Sequence, residues 1–446
     1  MSSTKTVAEF VVNTQTDGLP DWAVHEAKRT LINLLAISLS ASHAKPVQML
    51  LEWAKAEGCA PRATVIGSGL RTSLANAALL NGYLAHLQDY DDTHFPTVLH
   101  PTAPVWPAVL AVAEDSGTSG RDALAAFVLG AETACRVAMS THSWHYDAGW
   151  HITGTAGVFG AVAGAGRLLG LAADQMVYAL GTGGTQASGV REVFGSDTKA
   201  LHPAKAASNG LQAALLAKAG FTACDDIIGG RRGFWAVLSP GGHMEEALTE
   251  KLGEHWELRH NGLKPYANGV VSHPIQDAVI RLRNEHALTP DLVQSIDARV
   301  HPYVLELMNR PEPRRGLEGK FSFQHCAAAA LVDGAGHDAQ FSDERVADPI
   351  IASIRSRVSA DIDRSLEEDE VHLSISLNDG RKVETHVAHA TGSPDNPMPD
   401  DVLETKFRAL AGEVLPQQQV ERLLAAVWEL DSAPNVHEVV SAMVEG

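Results

Sequence analysis

GSGLRTSLANAALLNGYLAHLQDYDDTHFPTVLHPTAPVWPAVLA, residues 67–111, reads as two Ala- and Leu-rich helices with a polar segment between them. Leu74–Gln88 and Val105–Glu114 carry apolar residues at helical spacing. Between them lies His86-Leu87-Gln88-Asp89-Tyr90-Asp91-Asp92-Thr93-His94, followed by His100-Pro101, so that three carboxylates and three imidazoles fall within 15 residues. Such a density serves either a metal site or a hydrogen-bonded acid–base cluster. H-x-x-D-x-D-D-x-H matches no dedicated zinc or calcium ligand spacing, which favours the second reading and predicts no metal.

Working outward, the helical spacing extends over Ala23–Ala41, Arg121–Met139, Thr155–Leu169 and Ala204–Ala217. The first has an apolar stripe of Ala27, Leu31, Leu34 and Leu35, with Asp21 as a candidate cap. Many of these segments are rich in small residues, which predicts close packing and several helices buried all round. The texture changes near Lys264. Val293–Tyr303 alternates like a strand, and Glu370–Ala390 reads as a hairpin whose Asn378-Asp379-Gly380 turn would use positive φ at Asn and Gly. Lys320–Asp333 is helical in pattern. After the polar loop Thr391–Asp401, helical spacing returns in Val402–Ala411 and Gln418–Leu430. The fold class expected is mainly α with a smaller α+β domain: a large helical domain over 1–265, an α+β domain over 266–395, and C-terminal helices over 396–446 returning to the helical domain.

The 446 residues suggest two to four domains. With 35 Lys+Arg against 54 Asp+Glu the net charge is −19, which argues against a nucleic-acid partner. An anionic small molecule stays admissible, because a pocket can be basic inside an acidic protein. The four cysteines are far apart with no C-x-x-C spacing, and no signal peptide or membrane-length apolar run stands out. The expectation is a cytoplasmic protein with no membrane partner, and the 21 histidines hint at acid–base chemistry.

Three more segments carry candidate chemistry. Tyr146-Asp147-Ala148-Gly149-Trp150-His151 leads into Gly154, Gly157, Gly160 and Gly164. Without a Walker lysine or G-x-G-x-x-G these glycines read as a close-packing helix face, while His151, just before the helix start, can face a cavity. In Asp197–Lys205, Lys199, His202 and Lys205 precede a small-residue helix whose N-terminus would favour an anion. Lys264 lies in Gly262-Leu263-Lys264-Pro265-Tyr266, at the expected domain junction.

At these residues the sequence resembles the MmgE/PrpD family. The likeness runs from 67–111 through YDAGWHITGTAGVFGAVAGAGRLLGL and DTKALHPAKAASNG to LKPYANGVVSHPIQDAV and KFSFQHCAAAAL. It implies a large helical domain plus an α+β lid, a homodimer, and an enzyme working without organic cofactor or metal. By motif, the family's active-site aspartate and threonine fall on Asp89 and Thr93, its histidines on His100 and His151, and its lysines on Lys199 and Lys264. Two positions depart. A histidine of the decarboxylases, five after the second lysine, is Gly269 here, and the tyrosine of their F-S-x-x-Y stretch is His325.

The shared chemistry implied is proton transfer at a carbon next to a carboxylate of a small polycarboxylate. Lys199 and Lys264 would stabilise charge on the carboxylate oxygens. His100, His151 and Tyr146 are proton carriers, with Asp89, Thr93, His202, Lys205 and His325 contacting substrate. The two departures tilt the expectation towards a two-base epimerase acting on iminodisuccinate. The alternatives are 2-methylcitrate dehydratase or cis-aconitate decarboxylase activity, and a helical scaffold without catalysis.

Overall fold

The computed structural model describes residues 2–445. Its chain divides into two units: one takes in the chain up to Leu87, Asp91–Asn261 and the part from Pro399 on, and the other is Gln88–Tyr90 with Gly262–Met398.

In the first unit, helix Leu74–Leu87 packs on Thr198–Lys218, and both Thr198–Lys218 and Gly120–Met139 pack on Gly157–Leu168. The small residues explain the arrangement. A Cβ at Gly160 would stand 2.7 Å from the Gly130 carbonyl oxygen and 2.8 Å from Ala134 Cβ, so two helices touch backbone to backbone there. Every residue from Gly157 to Gly166 is buried, as a helix apolar on all sides requires. Trp106 stacks on Phe127 with centroids 4.5 Å apart, and its indole N–H donates to Thr30 Oγ1 at 3.1 Å. The C-terminal helix Asp400–Ala411 packs on Asp21–Ala41. Arg29 pairs with Asp400 and Lys406 Nζ donates to Asn33 Oδ1 at 2.7 Å. Among the described residues, no helix is long and apolar enough to cross a membrane.

The second unit is built on a four-stranded sheet in the order Val358–Ile362, Val293–Val300, Val371–Leu377, Lys382–Val387. The first pair is parallel and the other two are antiparallel. Val293, Ile296, Ala298 and Val300 alternate with polar residues and point inward with Val371, Leu373, Ile375 and Leu377. Helix His273–His286 packs on this sheet, and Phe323–Asp333 packs on that helix.

The local expectations need four corrections. Asp21 is the first helical residue rather than the cap; Pro20 holds that position without a side-chain bond. The helix expected over Thr155–Leu169 is interrupted at Ala156, with Ile152–Thr155 before it and Gly157–Leu168 after. The strand from Val293 stops at Val300, because Pro302 opens a short helix, Pro302–Leu307, capped by the His301 side chain. In the hairpin turn only Gly380 takes positive φ, 87°. Asn378 instead anchors the turn, its Nδ2 donating to the Asp291 carbonyl at 2.7 Å.

Candidate active site

In the first unit the site is built where helix Leu74–Leu87 ends. His86 is buried in its last turn. The short strand Asp92–His94 follows, and a tight loop returns the chain, with His94 N–H donating to the Leu99 carbonyl at 2.7 Å. The loop holds Val98 at φ 53°, a conformation that costs a β-branched residue about 1–3 kcal/mol. The return brings His100 back to Asp92.

His100 Nδ1 lies 2.5 Å from the backbone carbonyl oxygen of Asp92. A carbonyl oxygen only accepts, so Nδ1 carries the proton and the lone pair of the neutral ring is on Nε2. The Asp92 side chain is equally anchored. Its carboxyl accepts from Thr102 Oγ1 at 2.5 Å and Asn261 Nδ2 at 2.8 Å. Burial first, and then the neighbouring Asp91 charge, push its pKa up to about 7. Asp91, fully buried, accepts from His86 Nδ1 at 2.6 Å and stands 3.4 Å from His100 Nδ1. The ligating atoms of His86, Asp91 and His100 lie within 4.8 Å of one another, so this trio is where a divalent cation would fit in this unit.

A row of imidazoles continues from there. His86 meets His100 edge-on with centroids 4.8 Å apart and His151 at 5.5 Å; His151 meets His202 at 5.2 Å, with the two Nδ1 atoms 2.9 Å apart. Burial, followed by His86, Lys199, His202 and His100, holds His151 well below the usual histidine range. Burial also lowers His202 to about 4, with His86 and Lys199 adding to the effect. Both rings are therefore neutral at neutral pH, and one donates its Nδ1 proton to the other. Lys199 is buried, and its ammonium lies 5.4 Å from the centre of the Phe194 ring, which also packs edge-on against His151 at 4.9 Å.

The expected residues of this unit fall into place unequally. Thr93 is buried with Oγ1 3.4 Å from His100 Nδ1. Tyr146 is buried under the Arg191 guanidinium, 4.0 Å from the ring centre. Lys199, His202 and Lys205 do not precede the helix but lie on it, since it starts at Thr198. His202, three residues after Lys199, shares its face; Lys205, six residues on, is turned about 120° away and is solvent-exposed. Lys205 is thus a surface residue, which corrects its expected role. The sequence alone assigns no role to His86 and Asp91 within the densest cluster, and Phe194 carries no sequence signal beyond aromaticity.

The second unit holds its own buried charges. Lys264 Nζ donates to Asp89 Oδ1 at 2.8 Å and to the Asp89 carbonyl at 3.1 Å, and Asp89 takes φ 53°. Lys320, which the sequence did not flag, is buried with its ammonium on the carbonyls of Gln88 and Ala267 and on Asp338. His325 is a core histidine. Its Nε2 donates to the Gln340 carbonyl at 2.9 Å, its ring packs on Phe341, and burial above all lowers it to about 4. The structure gives it protein partners where a substrate contact was expected.

A helical unit with a row of buried imidazoles beside a lysine is an arrangement suited to acid–base chemistry. The chain belongs to the MmgE/PrpD family: residues 5–247 match the MmgE/PrpD N-terminal domain and residues 266–430 the MmgE/PrpD C-terminal domain. It is similar to the cis-aconitate decarboxylase of Mus musculus, 26% identical over 462 residues that span 100% of this chain and 94% of that protein. The cis-aconitate decarboxylase of Aspergillus terreus (strain NIH 2624 / FGSC A1156) is 29% identical, with 97% of this chain and 94% of that protein covered. That of Homo sapiens is 26% identical, with 100% and 95% covered.

Proposed function

We propose that this chain is a lyase of the cis-aconitate decarboxylase type, acting on a small di- or tricarboxylate by proton transfer at a carbon next to a carboxylate. One observation carries the reading: the imidazole row of the helical unit with Lys199 beside it. A proton on such a carbon is weakly acidic. Its transfer needs a base that is neutral at working pH and a positive charge where electron density gathers on oxygen. His100 Nε2 offers the lone pair, His151 and His202 are neutral proton carriers, and Lys199 is the cation. In decarboxylation the bond to the departing carboxylate breaks, CO₂ leaves with the pair staying on carbon, and a proton from a neighbouring acid takes its place. The relatives named above support this class. They lend nothing to the iminodisuccinate epimerase expected from the sequence.

One feature favours a second reading. At Gly269, where the decarboxylases of the family carry a histidine, a Cβ would stand 2.2 Å from Met308 Sδ. Met308 is buried and fills the space that histidine would need. Epimerisation of an amino-dicarboxylate needs two proton carriers on opposite faces of the carbon and no leaving group, so it could proceed without that residue.

Incubating the protein in D₂O with cis-aconitate, 2-methylcitrate or iminodisuccinate, followed by NMR, separates the readings. CO₂ release from cis-aconitate or water loss from 2-methylcitrate supports the lyase. Interconversion of iminodisuccinate stereoisomers with α-deuterium, and turnover of neither other compound, transfers the assignment to the epimerase. Neither turnover nor deuterium exchange with any of the three would overturn both readings.

A further inference from the structure

The outer face of the second unit's sheet carries a group of side chains that the acid–base reading does not use. His372 and His386 are directly opposite each other on the antiparallel strands Val371–Leu377 and Lys382–Val387. Their rings are stacked, with centroids 4.2 Å apart and planes 5° from parallel. Glu370 is two residues before His372 and so shares its face of the strand. Its Oε1 stands 2.7 Å from His386 Nε2.

We propose that Glu370, His372 and His386 form a binding site for a divalent transition-metal ion of the zinc class. One ligating atom from each lies within 4.8 Å of the other two. Zinc bonds of 2.0–2.1 Å in tetrahedral geometry separate the donors by about 3.3 Å, and because the two ring planes are nearly parallel one imidazole must turn out of the stack for both lone pairs to meet the ion. Two imidazoles and one carboxylate with a fourth position for water is a donor set zinc accepts, and copper(II) would bind more tightly still. The Glu370–His386 hydrogen bond is the proton-occupied form of the same arrangement, since proton and metal compete for one lone pair. His372 and His386 line an open concavity of 560 Å³, giving an ion access. Arg299, opposite His372 on the other side, is engaged by Asp363 at 2.7 Å, which offsets its charge.

The ion would act as a clip. Lys382–Val387 is an edge strand with one neighbour, and a metal bridging it to Val371–Leu377 and the residue before that strand ties the edge down.

Titration calorimetry with zinc chloride on the full chain tests the site. Cys59 and Cys224, both exposed, are replaced by serine beforehand so that thiols do not compete. One zinc ion per chain is expected, together with a rise in Tm on binding. Outer-shell partners alone are worth about 10–100-fold in metal affinity, so His372→Gln, His386→Gln and Glu370→Gln should each weaken binding at least about tenfold. Circular dichroism without metal confirms that each variant is folded. Binding that survives all three changes and is lost in His86→Gln places the ion in the buried His86–Asp91–His100 trio and overturns the proposal. Binding unaffected by every variant, or no binding at all, overturns it equally.

Discussion

The Nδ1–H of His100 donates to the main-chain carbonyl of Asp92, and this single bond determines which ring nitrogen is basic. Because the acceptor is backbone, held by a carboxyl group that itself takes hydrogen bonds from Thr102 and Asn261, the tautomer does not depend on a side chain that could rotate away. His100→Asn keeps a donor near the Nδ1 position and removes Nε2. The expected outcome is a fall in kcat of about 10²–10⁴ with Tm little changed. A loss under tenfold would take His100 out of the proton transfer.

A second prediction concerns pH. His151 is held well below the ordinary value near 6.5 by burial and by the imidazoles and lysine around it. A base whose pKa is lowered remains deprotonated to lower pH, so an acid limb of kcat/KM that His151 controls should be centred below 6.5. An acid limb centred at 6.5 or above would assign the rate-controlling titration to a group other than His151.

Stability should carry the mark of His325. Its folded pKa is about 4, mainly through burial, against 6.5 when unfolded. Between these values the unfolded chain binds the proton and the folded one does not. The histidine's contribution is therefore complete above pH 6.5 and is lost as pH falls towards 4, by up to about 3 kcal/mol. His325→Gln can still donate to the Gln340 carbonyl but cannot titrate. Urea unfolding at pH 7 and pH 4.5 should show the parent chain losing stability relative to this variant; parallel losses would contradict the assignment.

The Lys264–Asp89 pair invites a double-mutant cycle. Both groups are buried, so removing one partner takes the close counter-charge away from the other. Lys264→Met alone should cost about 3–5 kcal/mol. Adding Asp89→Asn removes the stranded charge, and Asn tolerates the positive φ at this position. The double variant should recover part of the loss in denaturant unfolding. Strictly additive losses would mean that the pair is not coupled.

Much of this was legible in the sequence. The helices of the first unit were readable because their small residues follow a 3.6-residue period, and the hairpin because its strands alternate around a glycine turn. What period alone could not show was the end of each element. The strand running to Val300 gives way at Pro302, and the helix carrying Lys199 begins at Thr198, six residues ahead of the Ala204 start that the apolar spacing predicts. The site was legible as a cluster of residue types, but its membership depends on which face each side chain takes. His202 joins Lys199 and Lys205 does not, because three residues on a helix share a side and six do not. His86 and Asp91 stand in the polar cluster without a role that spacing can assign, since only the folded loop reveals that the carboxylate lies between two imidazoles. Lys320 gave no signal, because an isolated lysine in a sequence carries no mark of its burial.

Asp89 belongs with the second unit although both of its flanks, up to Leu87 and from Asp91 on, belong to the first. During synthesis this aspartate leaves the ribosome 175 residues ahead of Lys264. At about 5–20 residues per second that interval lasts roughly 10–35 s. For all that time a carboxylate destined for a dry interior stays hydrated, and the second unit cannot acquire its buried counter-ion. No single cut in the polypeptide would yield either unit whole: a fragment beginning at Gly262 would have to bury the Lys264 ammonium with Asp89 on another chain.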